Sequence, residues 1–161
     1  MIRKVSPTDT EAIREIYNHY VINSTATFDT EPLSASRISR LISDISTRYP
    51  YLVYEEDEKV RGYCYAHPWK ERAAYGKTLE TTVYISGEYQ GKGIGRMLMA
   101  ELIQSCRQQG YHALIACITA DNEPSKTLHT KLGFRQVSLF KQVGIKFGRL
   151  FDIADYELLL S

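Results

Sequence analysis

Apolar residues recur along this chain at two different periods, and the changes of period predict seven strands and four helices. Alternating or continuous apolar runs predict strands at residues 2–5, 51–54, 60–66, 78–85, 113–118, 134–140 and 151–160. Helical spacing predicts four helices, which begin after Ser6, near Ser34, at Gly93 and at Asp121. The order β-α-α-β-β-β-α-β-α-β-β predicts an α/β (α+β) fold with a mixed, mostly antiparallel, seven-stranded sheet and helices on both faces.

Composition narrows the class of protein. The chain has 161 residues, of which 43% are hydrophobic, and this length predicts a single domain over residues 1–161. Its 20 basic and 19 acidic residues give a formal charge of +1, which favours a small-molecule partner over nucleic acid or an anionic membrane. Neither a signal peptide nor a membrane span is predicted.

Cysteine and histidine usage points away from disulfides and metals. Cys64, Cys106 and Cys117 are odd in number and lack C-x-x-C spacing, so they are predicted to be reduced core thiols in a cytoplasmic protein. The histidines show no zinc-ligand spacing, so no metal site is predicted.

A glycine-rich turn between a strand and a helix is the most informative motif. It comprises Gln90, Gly91, Lys92, Gly93, Ile94, Gly95 and Arg96. Backbone N–H groups in such a turn, together with the positive end of the helix dipole, form a site for phosphate oxygens. Position 96 is Arg where a dinucleotide fingerprint has its third glycine, and the spacing does not fit a nucleotide P-loop.

The turn resembles the Q/R-x-x-G-x-G/A signature of the GCN5-related N-acetyltransferases (GNAT), in which it binds the pyrophosphate of acetyl-coenzyme A. Further segments resemble the branch that acetylates phosphinothricin and methionine sulfoximine. These segments are residues 27–32, 68–70 with Arg72 and Tyr75, Glu80 with 82–84, Asn122 with 124–125 and His129, and 146–149. The resemblance covers nearly the whole chain and implies the GNAT fold and a homodimer.

The resemblance also implies an activity and its residues: transfer of the acetyl group to the α-amine of a small amino acid. A protonated amine must lose a proton before it attacks, and Glu80 is expected to act as the base through water. The acceptor is expected to contact Phe28, Lys70, Arg72, Tyr75 and Thr82. The cofactor is expected to contact the glycine turn, Val83, Tyr84, Ile85, Asn122 and Ser125, and His129 is expected to protonate the departing thiolate.

Other interpretations fit the same residues. Glu80, Thr82 and Tyr84 share one face of a strand, as the polar side of any amphipathic strand would. Asn122 and Ser125 also suit a helix cap. Phe147 and Leu150 depart from the branch's usual residues, which puts phosphinothricin in doubt as a substrate. A polyamine, antibiotic or N-terminal acetyltransferase and a coenzyme-A-binding sensor without turnover remain alternatives.

Overall fold

A seven-stranded sheet in the order β1-β2-β3-β4-β5-β7-β6 organises the computed structural model, which describes all 161 residues. The strands are β1 (Ile2–Lys4), β2 (Tyr51–Glu56), β3 (Lys59–Pro68), β4 (Thr78–Ile85), β5 (Ala113–Thr119), β6 (Arg135–Lys146) and β7 (Arg149–Leu159). The helices are α1 (Thr10–Asn23), α2 (Ala35–Ser46), α3 (Ile94–Gln108) and α4 (Glu123–Lys131). Only β4 and β5 pair in parallel. The predicted order of elements and the mixed, mostly antiparallel sheet are confirmed.

Helices cover both faces of the sheet, as predicted. Successive residues of a strand point to opposite faces, and in β3 Tyr63 joins a core formed with α1 and α2 whereas Cys64 joins a core formed with α3. Both residues are buried. The sheet is therefore buried from both sides at its centre.

Polar side chains fix where the helices begin. Ser34 Oγ accepts a hydrogen bond from the backbone N–H of Arg37 at the start of α2, and Asn122 Oδ1 accepts one from Ser125 at the start of α4. Both are N-caps, which satisfy backbone donors that the helix itself leaves free. The cap interpretation of Asn122 is thus confirmed.

Two hairpins are tighter and longer than the sequence pattern predicts. The β2–β3 turn consists of Asp57 and Glu58, and the β6–β7 turn of Phe147 and Gly148; all four residues have positive φ. Two-residue turns of this kind match the twist of the strands, but Phe and Glu are unusual in them. The predicted strand ends at 140 and 151 were wrong, because residues 141–146 extend β6 and residues 149–150 extend β7.

One expectation about the cysteines needs correction. Cys64 and Cys106 are buried free thiols, but Cys117 is exposed. All other residues of β5 are buried, so the continuous apolar run did not show that this one side chain is exposed. None of the helices is long and apolar enough to cross a membrane.

Candidate active site

The parallel strands β4 and β5 separate from each other and open a groove. They pair only at Thr78–Ala113, Leu79–Leu114 and Glu80–Ile115, although β4 continues to Ile85 and β5 to Thr119. The groove has a volume of about 790 Å³ and extends from the glycine turn past both strands to the loop after α1. The two strands are thus splayed apart beyond Glu80 and Ile115.

The glycine turn forms one end of the groove. Gly91 and Gly93 have φ values of +74° and +81°, and a Cβ added to either would meet no atom within 4 Å. Their backbone conformation is one that side chains disfavour, and the space beside them is open. Gly93 is also the N-cap of the 15-residue α3. The turn therefore presents backbone donors and a helix N-terminus to an open concavity, which suits phosphate oxygens.

Most residues predicted from the sequence lie together in this groove. Its lining includes Phe28, Glu80, Thr82, Val83, Tyr84, Ile85, Gln90, Gly91, Gly93, Gly95, Arg96, Asn122, Ser125 and His129. Lys92 lies outside the lining, where its ammonium stacks on the Tyr89 ring. The side chain of Ile94 is buried in the core on α3, so only its backbone can serve the turn.

The predicted basic clamp does not line the groove. Lys70 is exposed and lies 4.5 Å from the centre of the Trp69 ring, which in turn packs edge-on against Tyr75. Arg72 is also exposed and precedes a short 3₁₀ turn. These residues belong to the segment that joins β3 to β4 and precedes Glu80 in the chain, and they do not form the wall of the groove.

Glu80 lies at the point where β4 and β5 begin to separate. Its side chain is 31% exposed, and Oε2 lies 3.7 Å from Nε2 of His67 on the neighbouring strand. Cys117 on β5 also lines the groove, opposite Asp155 of β7. Although Cys117 is exposed as a residue, partial loss of water around the sulfur, with Asp155 and Glu80 nearby, raises the pKa of its thiol to about 11. The thiol is therefore neutral near pH 7.

His129 is held in a neutral form. It is 3% exposed, and Nδ1 lies 2.7 Å from the carbonyl oxygen of Ser125. A carbonyl only accepts hydrogen bonds, so Nδ1 carries the proton and Nε2 is an acceptor in the neutral ring. Burial lowers the pKa of His129. Near neutral pH the imidazole therefore lacks the second proton that the predicted donor role requires.

The sequence analysis missed several residues of the groove, among them Tyr20 and Thr81. Tyr20 donates a hydrogen bond to the carbonyl of Ile85 and accepts one from Gln90, so it links α1 to the end of β4 and to the glycine turn. Tyr20 lies at helical spacing from Ile13 and Ile16 in the sequence, so only its hydroxyl could have indicated a polar role. The Thr81 hydroxyl is buried in the groove wall without a hydrogen-bond partner.

Comparison with known proteins decides the family. The model of the acetyltransferase (GNAT) domain matches residues 2–154. The chain belongs to the GNAT acetyltransferase family. It is 38% identical to the L-amino acid N-acyltransferase MnaT of Escherichia coli, over 99% of this chain and 94% of that protein. It is 37% identical to phosphinothricin N-acetyltransferase of Streptomyces viridochromogenes, over 98% of this chain and 88% of that protein.

A solved structure of the family agrees with this GNAT fold in detail. The phosphinothricin acetyltransferase of Sinorhizobium meliloti in complex with acetyl-CoA superposes with a TM-score of 0.97 at 36% identity, covering 100% of this chain and 88% of that one. Acetyl-CoA is the cofactor of this GNAT domain, and it supplies the acetyl group as a thioester. The residues present fit it: the open cradle at Gly91 and Gly93 suits its phosphates, and the separated strand edges offer free backbone groups to its amide-bearing arm.

Proposed function

We propose that this acetyltransferase acetylates the α-amine of a small amino acid or amino-acid analogue by direct transfer, with Glu80 as the general base. The observation that supports this most directly is the position of Glu80. Its carboxylate faces the groove where the two strands separate, while the phosphate cradle lies at the groove's other end. The acceptor amine and the cofactor can thus approach from opposite ends.

Proton removal is the chemical task at Glu80. An α-amine has a pKa near 8, so most of it is protonated at neutral pH and must lose a proton in order to attack. The Glu80 side chain is 31% exposed, which leaves it open to a water molecule that could relay the proton. The neutral Cys117 thiol is a poor nucleophile, which favours direct attack by the amine over an acetylated cysteine.

The surroundings of the groove favour an acceptor that carries a carboxylate. Lys70 and Arg72 bring positive charge to the segment that precedes β4, and a guanidinium can grip a carboxylate through two parallel hydrogen bonds. Phe28 and Thr82 line the groove itself. The relatives named for phosphinothricin and L-amino acids support an acceptor of this class.

Replacement of Glu80 tests the proposal. Glu80→Gln keeps the size of the side chain and removes its basicity, so kcat is expected to fall by about a hundredfold or more while coenzyme A binds as before. Glu101→Gln, which makes the same change at an exposed position of α3, serves as the control. If the protein were a coenzyme-A-binding sensor, the wild type would already show no turnover. An unchanged kcat in Glu80→Gln would exclude Glu80 as the base.

We also propose a homodimer formed through the β6–β7 hairpin. β6 is the last strand of the sheet, so one of its edges is unpaired. Exposed apolar side chains cover the hairpin: Val137, Leu139, Phe140, Val143, Ile145, Phe147 and Leu150. Ile145 and Leu150 are cross-strand partners, 66% and 54% exposed. An apolar patch of this kind on an edge hairpin marks an interface. The family resemblance implies a homodimer, so we propose that a second copy of this chain covers the patch.

The cellular location is inferred from chemistry alone. Cys64 and Cys106 are free thiols in the core, and thiols persist in a reducing compartment. A cytoplasmic enzyme that consumes acetyl-CoA is consistent with this state.

A further inference from the structure

The ammonium group of Lys146, near the end of β6, lies inside the protein. The residue is only 4% exposed, and Nζ donates to the carbonyl oxygens of Ser24 at 2.6 Å and Thr27 at 2.8 Å. Lysine is rarely buried unless its charge is satisfied. Here the partners are main-chain carbonyls of the loop that follows α1, and that loop lines the groove.

Side chains from two other strands hold the carbonyls between these two. Thr119 of β5 donates to Thr25 at 2.6 Å, and Tyr84 of β4 donates to Ala26 at 3.3 Å. All four successive carbonyls from 24 to 27 therefore accept hydrogen bonds from side chains of the sheet. A surface loop usually leaves such groups to water, so this loop is held in one shape by the strands beneath it.

The next residue of the loop, Phe28, rests directly on β6. A Cβ added at Gly144 would lie 2.0 Å from Cε2 of Phe28 and would overlap the ring. The ring also packs near Phe151 of β7. Glycine at 144 is thus required for this position of Phe28, which forms part of the groove wall.

We propose that Lys146 is a positioning residue for acceptor binding, which acts by holding the loop of residues 24–28 against the groove, and that Gly144 sets the position of Phe28 within it. This inference rests on the proposed function, because it assigns the loop to the acceptor end. The phosphate cradle lies on a different segment, at residues 90–96. Loss of Lys146 should therefore affect the acceptor far more than coenzyme A.

The test compares three variants. Lys146→Met keeps length and apolar volume but leaves two carbonyls without their donor, and Gly144→Ala displaces the Phe28 ring. Each is expected to raise the KM for the acceptor about tenfold, with coenzyme A affinity measured by calorimetry within about twofold of wild type. The control is Lys141→Met, which removes an exposed lysine of the same strand, paired with Asp152 at 3.2 Å.

A measurement without any acceptor separates this inference from the proposed function. Hydrogen exchange of the amides at 24–28 is expected to accelerate at least about tenfold in Lys146→Met and to stay unchanged in Lys141→Met. If the wild-type protein acetylated no amino acid, the proposed function would be refuted, but the hydrogen-exchange comparison would still test the role of Lys146. Unchanged exchange and an unchanged acceptor KM in Lys146→Met would overturn the inference. Equal losses of acceptor and coenzyme A binding would also overturn it, because they would indicate a general structural role.

Discussion

A carboxylate placed at position 93 should specifically weaken cofactor binding. Gly93 has a φ of +81° and open space beside it, so Gly93→Asp would place its side chain in the concavity that suits phosphate oxygens. Asp tolerates positive φ better than most residues, for which this conformation costs about 1–2 kcal/mol. The fold is therefore expected to survive the substitution.

The size of the effect follows from the added charge. Two unit charges about 4 Å apart repel by about 1 kcal/mol in water and about 4 kcal/mol at a protein surface with an effective dielectric near 20. Since about 1.4 kcal/mol is tenfold in affinity, the Kd for coenzyme A is expected to rise by about fivefold to several hundredfold. The rise should shrink at high salt, because salt screens exposed charges.

Calorimetric titration with coenzyme A measures this effect, and two controls isolate its cause. Gly93→Asn adds a side chain of the same size without charge, so it reports the steric part alone. Gly87→Asp adds the same charge at an open position that has no positive φ and lies outside the groove lining. Coenzyme A affinity in Gly93→Asp within about twofold of wild type would refute the placement of the phosphates in this cradle.

Two further predictions concern the hairpin and His129. Ile145→Asp is expected to shift the protein from dimer to monomer in light scattering, whereas Ile22→Asp, at an exposed site on α1, should leave the dimer intact; a monomeric wild type would contradict the dimer. Because the pKa of folded His129 is lowered, the unfolded chain binds its proton first, so stability falls as pH drops below about 6.5. His129→Gln is expected to reduce the fall in Tm between about pH 7.5 and pH 5. The control, His112→Gln at an exposed position, should leave that fall unchanged. Equal falls in the wild type and both variants would contradict a neutral, buried His129 ring.

Local patterns were sufficient for most of the fold. Alternation in β4 and helical spacing in α3 predicted both elements, and the glycine-rich turn at residues 90–96 indicated a concavity that suits phosphate oxygens. The ends of the last two strands were predicted wrongly because Gln142 and Gly144 are residue types that are common in turns. In the structure Gln142 has a positive φ, and the pairing of β6 with β7 shifts register between Phe140 and Gly144. This irregularity lies within β6, which continues to Lys146.

The site was harder to predict wherever it depends on contacts between distant segments. Glu80 and Phe28 were proposed as site residues through the resemblance, since alternation alone does not distinguish a catalytic carboxylate from a solvated one. Lysine is usually a surface residue, and the sequence around Lys146 does not indicate that its side chain reaches the loop after α1. That loop lies more than a hundred residues earlier in the chain. The Nδ1 bond that sets the protonation of His129 likewise appears only in three dimensions.

The central claim is that this GNAT enzyme acetylates the α-amine of a small amino acid, and thiol release from acetyl-CoA tests it most directly. The acceptors to compare are methionine sulfone, methionine sulfoximine, the carboxamide of methionine sulfone, spermidine and an aminoglycoside. We expect turnover with the two amino acids and a kcat/KM lower by about tenfold or more for the carboxamide, which lacks the carboxylate that the basic segment would bind. Faster turnover of spermidine or the aminoglycoside, or no turnover at all by protein that binds coenzyme A, would contradict the account.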